Sequence, residues 1–177
     1  MIGRLLYRLR ADADRSPLSA LAPPAGITVS SPAFTDGGAI PRAHAGKGVG
    51  DNVSPELRWS GVPAGTAQLV VVMDDIDVPF PRPLIHTIAV VAPDLTGIGA
   101  GELEPGTPGL RFLPGTLRDR GYTGPRPIPG HGAHHYRFHV LALDAAVPAT
   151  VTTWKALLAR MTRHVLASGT LTGIYQR

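Results

Sequence analysis

Polar side chains that can bind ligands or transfer protons occur inside or next to three apolar runs of the sequence. They are Asp75 and Asp77 after the first run, His86 within the second, and His134 and Tyr136 at the start of the third. A buried ionisable group needs a charged or hydrogen-bonding partner, so polar residues at related strand ends are expected to share a pocket. Side chains two positions apart in a strand point to the same side, so each spaced pair can face one way. The residue types and their spacing thus predict a site where two carboxylates, two imidazoles and a phenol converge.

Each of these features also has a simpler structural explanation. An Asp cluster after a strand often forms a turn, and a single histidine such as His86 is often a hydrogen-bonded core residue. Four histidines, at positions 131, 134, 135 and 139, suggest a metal site, but their spacing matches no standard ligand set. In a strand, His135 and His139 would also share the face opposite to His134. We therefore predict neither a metal nor a cofactor.

Motifs of common catalytic sites are absent from the sequence. It contains no Gly-x-Ser-x-Gly turn, no phosphate-binding Gly-rich loop that ends in Lys-Ser/Thr, and no His-Glu-x-x-His. Since there is no cysteine, the chain has no thiol nucleophile, disulfide or zinc–thiolate site. A His–Asp pair can still act as a general base for water, which leaves a small hydrolase as the lesser alternative. We predict no catalytic residues and a protein that is not an enzyme.

The elements that must position these side chains are mostly strands. With 21 Gly and 18 Pro in 177 residues, the composition disfavours long helices and favours a loop-rich β or α+β domain. The patterns predict strands at residues 27–30, 57–60, 69–73, 88–91 and 135–144, of which the two continuous apolar runs, 69–73 and 88–91, are expected to be covered on both faces. One amphipathic helix is predicted from Thr152 or Thr153 to a stop at Gly169, with residues 171–175 closing the sheet.

The N-terminal residues form a separate unit in this prediction. Apolar side chains at positions i, i+3, i+4 and i+7 predict a short amphipathic helix, namely Ile2, Leu5, Leu6 and Leu9. This helix can dock on a membrane surface or a partner, or pack on its own domain, and packing is favoured because one short stripe binds lipid weakly. A Pro-rich connector follows at residues 16–26. The predicted division is therefore 1–26 for helix and connector and 27–177 for the main domain.

The formal net charge of +4 and the isoelectric point near 10.0 raise the question of nucleic-acid binding. Only Lys47 and Lys155 are lysines, and no aromatic residues interleave with the arginines as a base-stacking surface requires. Nucleic acid is therefore not predicted as a partner. No apolar run approaches the roughly 20 residues of a membrane span, and the lack of cysteine fits a reducing compartment. We expect a cytoplasmic protein with at most peripheral membrane contact.

Five segments between position 52 and the C-terminus occur in a recognisable order. They are Asn52-Val53-Ser54-Pro55 with Leu57 and Trp59, Val62-Pro63-Ala64-Gly65-Thr66, Asp75-Ile76-Asp77-Val78-Pro79, His86, and Gly121-Tyr122-x-Gly124 leading to His134-His135-Tyr136. Together they resemble the phosphatidylethanolamine-binding protein family, in particular its bacterial Raf-kinase-inhibitor-like branch, over residues 27–177. Ile76 stands where the family motif has Pro, His135 where it has Arg, and Leu84-Ile85 where an aromatic residue or His is usual. These departures predict a less aromatic pocket wall.

The resemblance implies a mostly β (α+β) fold, with a large central β-sheet, a smaller second sheet and few peripheral helices. It also implies a shallow anion-accepting pocket at one end. The family's pocket residues carry over to Asp75, Pro79, His86, Gly124, Pro127, His134 and Tyr136, with Asp77 as a neighbouring support.

The expected function is non-enzymatic binding of small phosphate- or carboxylate-bearing groups, such as a phospholipid head group or a phosphorylated side chain. Asp75 can hold a histidine as the imidazolium that meets the anion, or accept the ammonium of a zwitterion such as phosphorylethanolamine. The phosphate would then meet His134, Tyr136 and N–H groups near Gly124. The alternative is a protein-interaction regulator that inhibits a kinase or protease, with the Arg-rich loop from Arg111 to Arg126 as its contact surface. A homodimer is also left open.

Overall fold

A computed structural model describes residues 2–177, except for the side chains of Ile2 and Arg4. Those two positions of the predicted amphipathic helix therefore lie outside the described side chains. The elements in chain order are α1 (Ile2–Leu6), 3₁₀ turns at Ala13–Arg15 and Ser19–Leu21, β1 (Thr28–Ser30), β2 (Gly38–Ala39), a 3₁₀ turn at Arg42–His44, β3 (Leu57–Ser60), β4 (Gln68–Asp75), β5 (Leu84–Val91), β6 (Gly97–Ile98), β7 (Leu110–Leu113), β8 (His134–Leu143), α2 (Trp154–His164) and β9 (Val165–Tyr175).

The strands form a large and a small sheet. The large sheet has six strands in the order β2-β9-β8-β4-β5-β7, and the small sheet has three in the order β1-β3-β6. Neighbouring strands are antiparallel except for β2 and β9, which run parallel. The predicted mostly β fold, with a second smaller sheet and few helices, is confirmed.

Apolar side chains on the two faces of the large sheet form two separate cores. In β4, Leu69, Val71 and Met73 pack with residues of the small sheet such as Trp59. The alternate residues of the same strand pack on the other face against α2, where Leu157 and Met161 are fully buried. Coverage of both faces explains why residues 69–73 are continuously apolar rather than alternating. That prediction is confirmed, since this run is completely buried.

Helix α2 begins as predicted but ends five residues before the predicted stop. Thr153 is its N-cap, with the side-chain oxygen accepting a hydrogen bond from the Ala156 N–H. The helix ends at His164, and Gly169 lies within β9, so the prediction of a stop at Gly169 was wrong. A Cβ atom on Gly169 would lie 2.0 Å from the Ile27 carbonyl oxygen. The glycine is therefore required by the close approach of two chain segments, which a helix-stop pattern cannot distinguish from a C-cap.

The N-terminal segment leaves part of its predicted apolar stripe exposed. Helix α1 ends at Leu6, and Leu5 and Leu9 are 85% and 52% exposed. The predicted connector contains buried side chains, because Leu18 joins the core under the large sheet and the Ser16 hydroxyl donates to Asp74 Oδ2 at 3.3 Å. Within residues 2–177, no helix has the length and hydropathy needed to cross a membrane.

Candidate functional site

The strand register brings the polar ends of three neighbouring strands together. In the antiparallel ladders, Asp75 at the end of β4 lies opposite Tyr136 of β8 on one side and Leu84 of β5 on the other. A register shift between Met73 and Asp74 interrupts the pairing of β4 with β5. Because β4 ends where β5 and β8 begin, the carboxylate, the imidazoles and the phenol meet at one end of the sheet.

A cavity of about 200 Å³ lies at this end of the large sheet. Seven of the eight predicted site residues line it: Asp75, Pro79, His86, Gly124, Pro127, His134 and Tyr136. Their role in binding a ligand stays a prediction. The rings are close to one another, with the His86 centroid 5.4 Å from that of Tyr136 in an edge-on arrangement. His134 is stacked at 6.2 Å on the same tyrosine.

Asp77 does not line this cavity, contrary to the expectation that both carboxylates face one side. Strand β4 ends at Asp75, and the chain then turns, with the Asp77 N–H donating to Asp75 Oδ1 at 2.9 Å. The Asp77 carboxylate accepts hydrogen bonds from the N–H and Nδ1 of His135, both at 2.7 Å, and pairs with Arg10 at 3.1 Å. The two-residue spacing gives a shared face only while the strand continues, so the expectation of a shared face was wrong, whereas the role of Asp77 as a neighbouring support stays a prediction.

His134 has hydrogen-bond partners at both ring nitrogens. Its Nδ1 lies 2.7 Å from Asp75 Oδ2, and its Nε2 lies 2.7 Å from Nδ1 of His131. His131 in turn reaches the Leu6 carbonyl oxygen with Nε2 at 2.8 Å. In this arrangement His134 has no ring N–H left for a ligand, so the expected direct contact between His134 and a phosphate is not available.

Two other polar atoms of the cavity wall have no hydrogen-bond partner among the described residues. They are Nε2 of His86 and the hydroxyl of Tyr136, and both atoms are buried. Nδ1 of His86 lies 2.9 Å from the Thr123 carbonyl, which can only accept, so this nitrogen carries the ring proton when His86 is neutral. Burial lowers the pKa of His86, partly offset by the nearby Asp75 charge. Burial raises the pKa of Tyr136, and so does the Asp75 carboxylate, which lies near the hydroxyl without meeting the geometry of a hydrogen bond to it; the phenol therefore keeps its proton.

The loop on the far side of the cavity is fixed by Asn52, a residue of the sequence motif. Its side-chain nitrogen donates to the Tyr122 carbonyl at 3.1 Å, and its oxygen accepts from the Gly124 N–H at 3.0 Å. The Gly124 N–H is therefore engaged and is not free for a phosphate, whereas contact of a phosphate with other N–H groups near Gly124 stays a prediction. A Cβ on Gly124 would lie 2.3 Å from the His44 carbonyl oxygen, so only glycine allows this close packing.

Seven further residues of the cavity wall were not among the predicted site residues, and three of them are exposed. Phe80 and Leu117 are exposed apolar side chains at the rim, and Arg126 brings a positive charge. Phe80 follows the Asp-x-Asp-x-Pro segment directly. It supplies an aromatic side chain to the cavity wall, which Leu84 and Ile85 do not. A phenylalanine between prolines was the sequence feature that could have indicated Phe80 as a residue of the cavity.

The Arg-rich segment predicted as one exposed loop has two distinct parts. Arg111 lies in β7, and its guanidinium donates to the Val151 and Val147 carbonyl oxygens at 2.8 and 3.1 Å. Residues 116–120, which include Arg118 and Arg120, are exposed. The prediction of a continuous exposed loop was thus wrong for its first residues, because they lie in a paired strand of the large sheet.

Comparison with known proteins identifies the family of this chain. The model of the family described as phosphatidylethanolamine-binding protein matches residues 30–176, and the chain belongs to that family. A UPF0098 protein of Mycobacterium tuberculosis is 43% identical over 125 residues, covering 69% of this chain and 56% of the relative. A UPF0098 protein of Methanothermobacter thermautotrophicus is 34% identical over 157 residues, covering 85% and 99%. The chain spans little more than half the length of the mycobacterial relative.

Solved structures give the same result for the fold. Escherichia coli YbcL, a member of the mammalian PEBP family, matches with a TM-score of 0.78 at 25% identity and covers 86% of this chain and 99% of its own. The carboxypeptidase Y inhibitor, solved in complex with its cognate proteinase, has a TM-score of 0.54 at 17% identity, over 87% and 85% of the two chains. At that identity the second match shows a common fold alone.

Proposed function

We propose that this protein binds small phosphate- or carboxylate-bearing groups, such as a phospholipid head group or a phosphorylated ligand, in the cavity at the end of the large sheet. The observation that carries the proposal is the pair of buried, unpartnered polar atoms, His86 Nε2 and the Tyr136 hydroxyl, on one cavity wall. A buried polar group without a partner costs roughly 1–3 kcal/mol. A ligand that hydrogen-bonds to both atoms recovers this free energy.

The protonation of these two atoms defines the complementary ligand. The Tyr136 hydroxyl donates to an acceptor such as a phosphate or carboxylate oxygen. Neutral His86 presents a lone pair at Nε2 and accepts from a P–OH or an ammonium group, whereas protonated His86 donates to the anion. Phosphate monoesters and zwitterions such as phosphorylethanolamine carry both kinds of group. The guanidinium of Arg126 at the cavity wall adds a favourable charge for either ligand.

Binding without catalysis is the second part of the proposal. A His–Asp general base needs one free ring nitrogen to take a proton from water. The His–Asp pair in the cavity uses both nitrogens of His134, one for Asp75 and one for His131. His86 is held by a carbonyl group instead of a carboxylate. Turnover of a panel of esters and phosphoesters by the wild type, abolished in His86→Ala, would contradict this part.

Titration calorimetry with phosphate and phosphorylethanolamine tests the binding. We expect Tyr136→Phe to weaken binding of both ligands by about tenfold, because one hydrogen bond to a charged group contributes about 1.5 kcal/mol or more. Tyr175→Phe, which removes the same hydroxyl outside the cavity, is the matched control and should bind as the wild type does. Equal affinities in the wild type and Tyr136→Phe would reject the proposed site.

A second candidate function, regulation of a partner kinase or protease, is favoured by the surface beside the cavity. Residues 116–120 are all exposed and combine Leu117 with two arginines, and Arg118 has a positive φ of 65°. A protein of the same fold, the carboxypeptidase Y inhibitor, was solved in complex with its cognate proteinase. If this surface binds a partner, the double charge reversal Arg118→Glu/Arg120→Glu abolishes capture of that partner while Tyr136→Phe leaves it unchanged. The opposite pattern would assign the interaction to the cavity.

A further inference from the structure

The first residues of the chain lie against the loop that precedes β8. We name residues 3–10 the strap. Gly3 packs so closely that a Cβ atom there would lie 2.1 Å from the Pro129 carbonyl oxygen. At the other end of the strap, Nη2 of Arg10 donates to the His131 carbonyl at 3.1 Å, and Nε of Arg10 pairs with Asp77 at 3.1 Å. The strap itself lies outside residues 30–176, the part that the family model matches.

A chain of three hydrogen bonds connects the strap to the cavity. It runs from the Leu6 carbonyl to His131 at 2.8 Å, from His131 to His134 at 2.7 Å, and from His134 to Asp75 at 2.7 Å. All three side chains are buried. The strap is therefore linked to His134 in the cavity wall through one intervening side chain, that of His131.

The number of protons that these three hydrogen bonds require determines the charge of the two imidazole rings. A carbonyl oxygen only accepts, so Nε2 of His131 carries a proton. An ionised Asp75 also only accepts, so Nδ1 of His134 carries a second proton. The two nitrogens that face each other at 2.7 Å need a third proton between them, since two lone pairs at that distance repel. With Asp75 ionised, two neutral imidazoles supply only two of the three protons, so one ring is then an imidazolium.

The surrounding charges assign the additional proton to His134. Charged and titratable groups around the two rings are Arg10 from the strap, Asp75 and Asp77 at the end of β4, Tyr136 of β8 and His86 of β5. Arg10 Nη1 lies 3.1 and 3.0 Å from the two nitrogens of His131, which disfavours a positive charge on that ring. Burial and Arg10 lower the pKa of His131, although the Leu6 carbonyl acts in the opposite direction. His134 instead pairs directly with the Asp75 carboxylate.

We propose that the strap, acting through His131, holds His134 as an imidazolium paired with Asp75 and thereby sets the anion affinity of the cavity. His131 and Arg10 are positioning residues, because they act through His134. With the strap in place, His134 and Asp75 have no net charge between them. Loss of the third proton leaves the Asp75 carboxylate uncompensated, and this charge repels an anion. The affinity part of this inference rests on the proposed function, whereas the proton count does not.

The protonation of His134 is measured directly by ¹⁵N NMR of the ring nitrogens in the ligand-free full-length protein. We expect both nitrogens of His134 to be protonated in the wild type, and the titration midpoint of this ring to move down by about one pH unit in His131→Leu. His131→Asn retains an acceptor oxygen near the position of Nδ1 and should keep a midpoint close to that of the wild type. A singly protonated His134 ring in the wild type, with equal midpoints in both variants, would overturn the proposal.

Gly3→Val tests the strap without changing any side chain of the hydrogen-bond chain, because its side chain would collide with Pro129. We expect the His134 midpoint to fall as in His131→Leu and phosphate affinity at pH 7 to drop about tenfold. Leu5→Ala, which changes a side chain that is 85% exposed, is the control and should leave both measurements unchanged. An unchanged midpoint in Gly3→Val overturns the inference. If the wild type binds no phosphate, the proposed function fails while the ring titration still decides the proton count.

Discussion

Tyr136 and Tyr122 are both buried, but only one of their hydroxyl groups has a hydrogen-bond partner among the described residues. The Tyr122 hydroxyl donates to the His44 carbonyl oxygen at 2.7 Å, whereas that of Tyr136 is unpartnered. An unsatisfied buried group lowers stability, and proteins keep such groups mainly where function requires them. The two tyrosines therefore form an internal comparison between a structural and a ligand-binding hydroxyl.

The same substitution at these two positions is expected to have opposite effects on stability. Tyr136→Phe should raise the free energy of unfolding of the ligand-free protein by about 1 kcal/mol, because it removes an unpaired polar group. Tyr122→Phe should lower it by about 1 kcal/mol, because it leaves the His44 carbonyl without its donor. Urea denaturation monitored by circular dichroism measures both. A loss of stability in Tyr136→Phe would mean that its hydroxyl is satisfied in solution.

Sulfate and phosphate should differ in how their binding depends on pH. Burial lowers the pKa of His86 below its ordinary value of 6.5, so at pH 7 its Nε2 accepts and cannot donate. Sulfate has no proton to offer, so it needs protonated His86, and its affinity should rise as pH falls, by up to tenfold per unit above the His86 pKa. The phosphate monoanion can donate its P–OH to the neutral ring and should bind more tightly than sulfate at pH 7.

Calorimetry from pH 5 to pH 8 measures this difference, with His86→Gln as the comparison. The glutamine cannot titrate, so the pH dependence of sulfate affinity should disappear in this variant. A sulfate affinity that is independent of pH in the wild type would contradict the assignment of His86.

The residue types and the family motif predicted which residues meet at the cavity. They did not predict which hydrogen bonds these residues make. Asp75, His86, His134 and Tyr136 were named because polar groups at strand ends need partners. The position of the Asp77 carboxylate depends on where β4 ends and on its contacts with His135 and Arg10, which come from distant parts of the chain. The hydrogen bond between His131 and His134 joins residues only three positions apart. Residue spacing could not predict this bond, because the loop before β8 has no regular side-chain periodicity and is held by the Leu6 carbonyl from the N-terminus.

At the scale of elements, Asp74 joins β4, β8 and the N-terminal connector. Its carboxylate accepts from Arg137 at 2.8 and 2.6 Å and from Ser16 at 3.3 Å, and His139 lies 3.3 Å away. Burial alone would raise the pKa of Asp74, but His139 and Arg137 outweigh it and lower the pKa from 3.8 to about 2. The fully buried charge of this β4 residue therefore depends on partners from β8 and from the connector.

Asp74→Asn should lower the free energy of unfolding by about 3 kcal/mol at pH 7, because the partly buried Arg137 would lose the charge of its fully buried partner. Since the folded-state pKa of Asp74 is lowered, its contribution is complete above pH 4 and is lost as pH falls toward 2. That loss amounts to about 2 kcal/mol in the wild type and should be missing in the variant. Denaturation curves at pH 2, 4 and 7 measure both effects. Asp144→Asn, in an exposed pair with His164, is the control and should change stability by less than about 1 kcal/mol.

Sequence patterns predicted the central strands and the start of α2, but not the end of α2. Continuous apolar runs can only be satisfied by coverage on both faces, which is why β4 and β5 were predictable. The boundary between α2 and β9 at Val165 is determined by pairing with β8 over ten residues, and that pairing is a long-range contact. Gly169 was misinterpreted because glycine serves helix ends and close chain approaches equally well.

At the scale of the whole molecule, the predicted boundary between residues 26 and 27 does not coincide with a gap in packing. Ser168 N–H donates to the Pro24 carbonyl at 2.8 Å, and the Ser168 carbonyl accepts from Gly26 and Ile27. Leu18 is 5% exposed and packs in the same core as α2. The connector at residues 16–26 therefore packs on the large sheet, and its Leu18 contributes to the same core.

Leu18→Ala measures how far this segment belongs to the folding unit. If the segment folds with the main domain, the substitution should cost about 2–3 kcal/mol, as Leu157→Ala on the opposite side of that core should, and unfolding should remain a single transition. Leu5→Ala, at an exposed position of the same segment, should change stability by no more than about 0.5 kcal/mol. A cost near zero for Leu18→Ala, or a separate early transition, would show that residues 1–26 are an appendage to a domain that begins at residue 27. The expected outcome instead couples the connector and the large sheet in one cooperative unit, because removing either buried leucine side chain leaves a cavity in the core that they share.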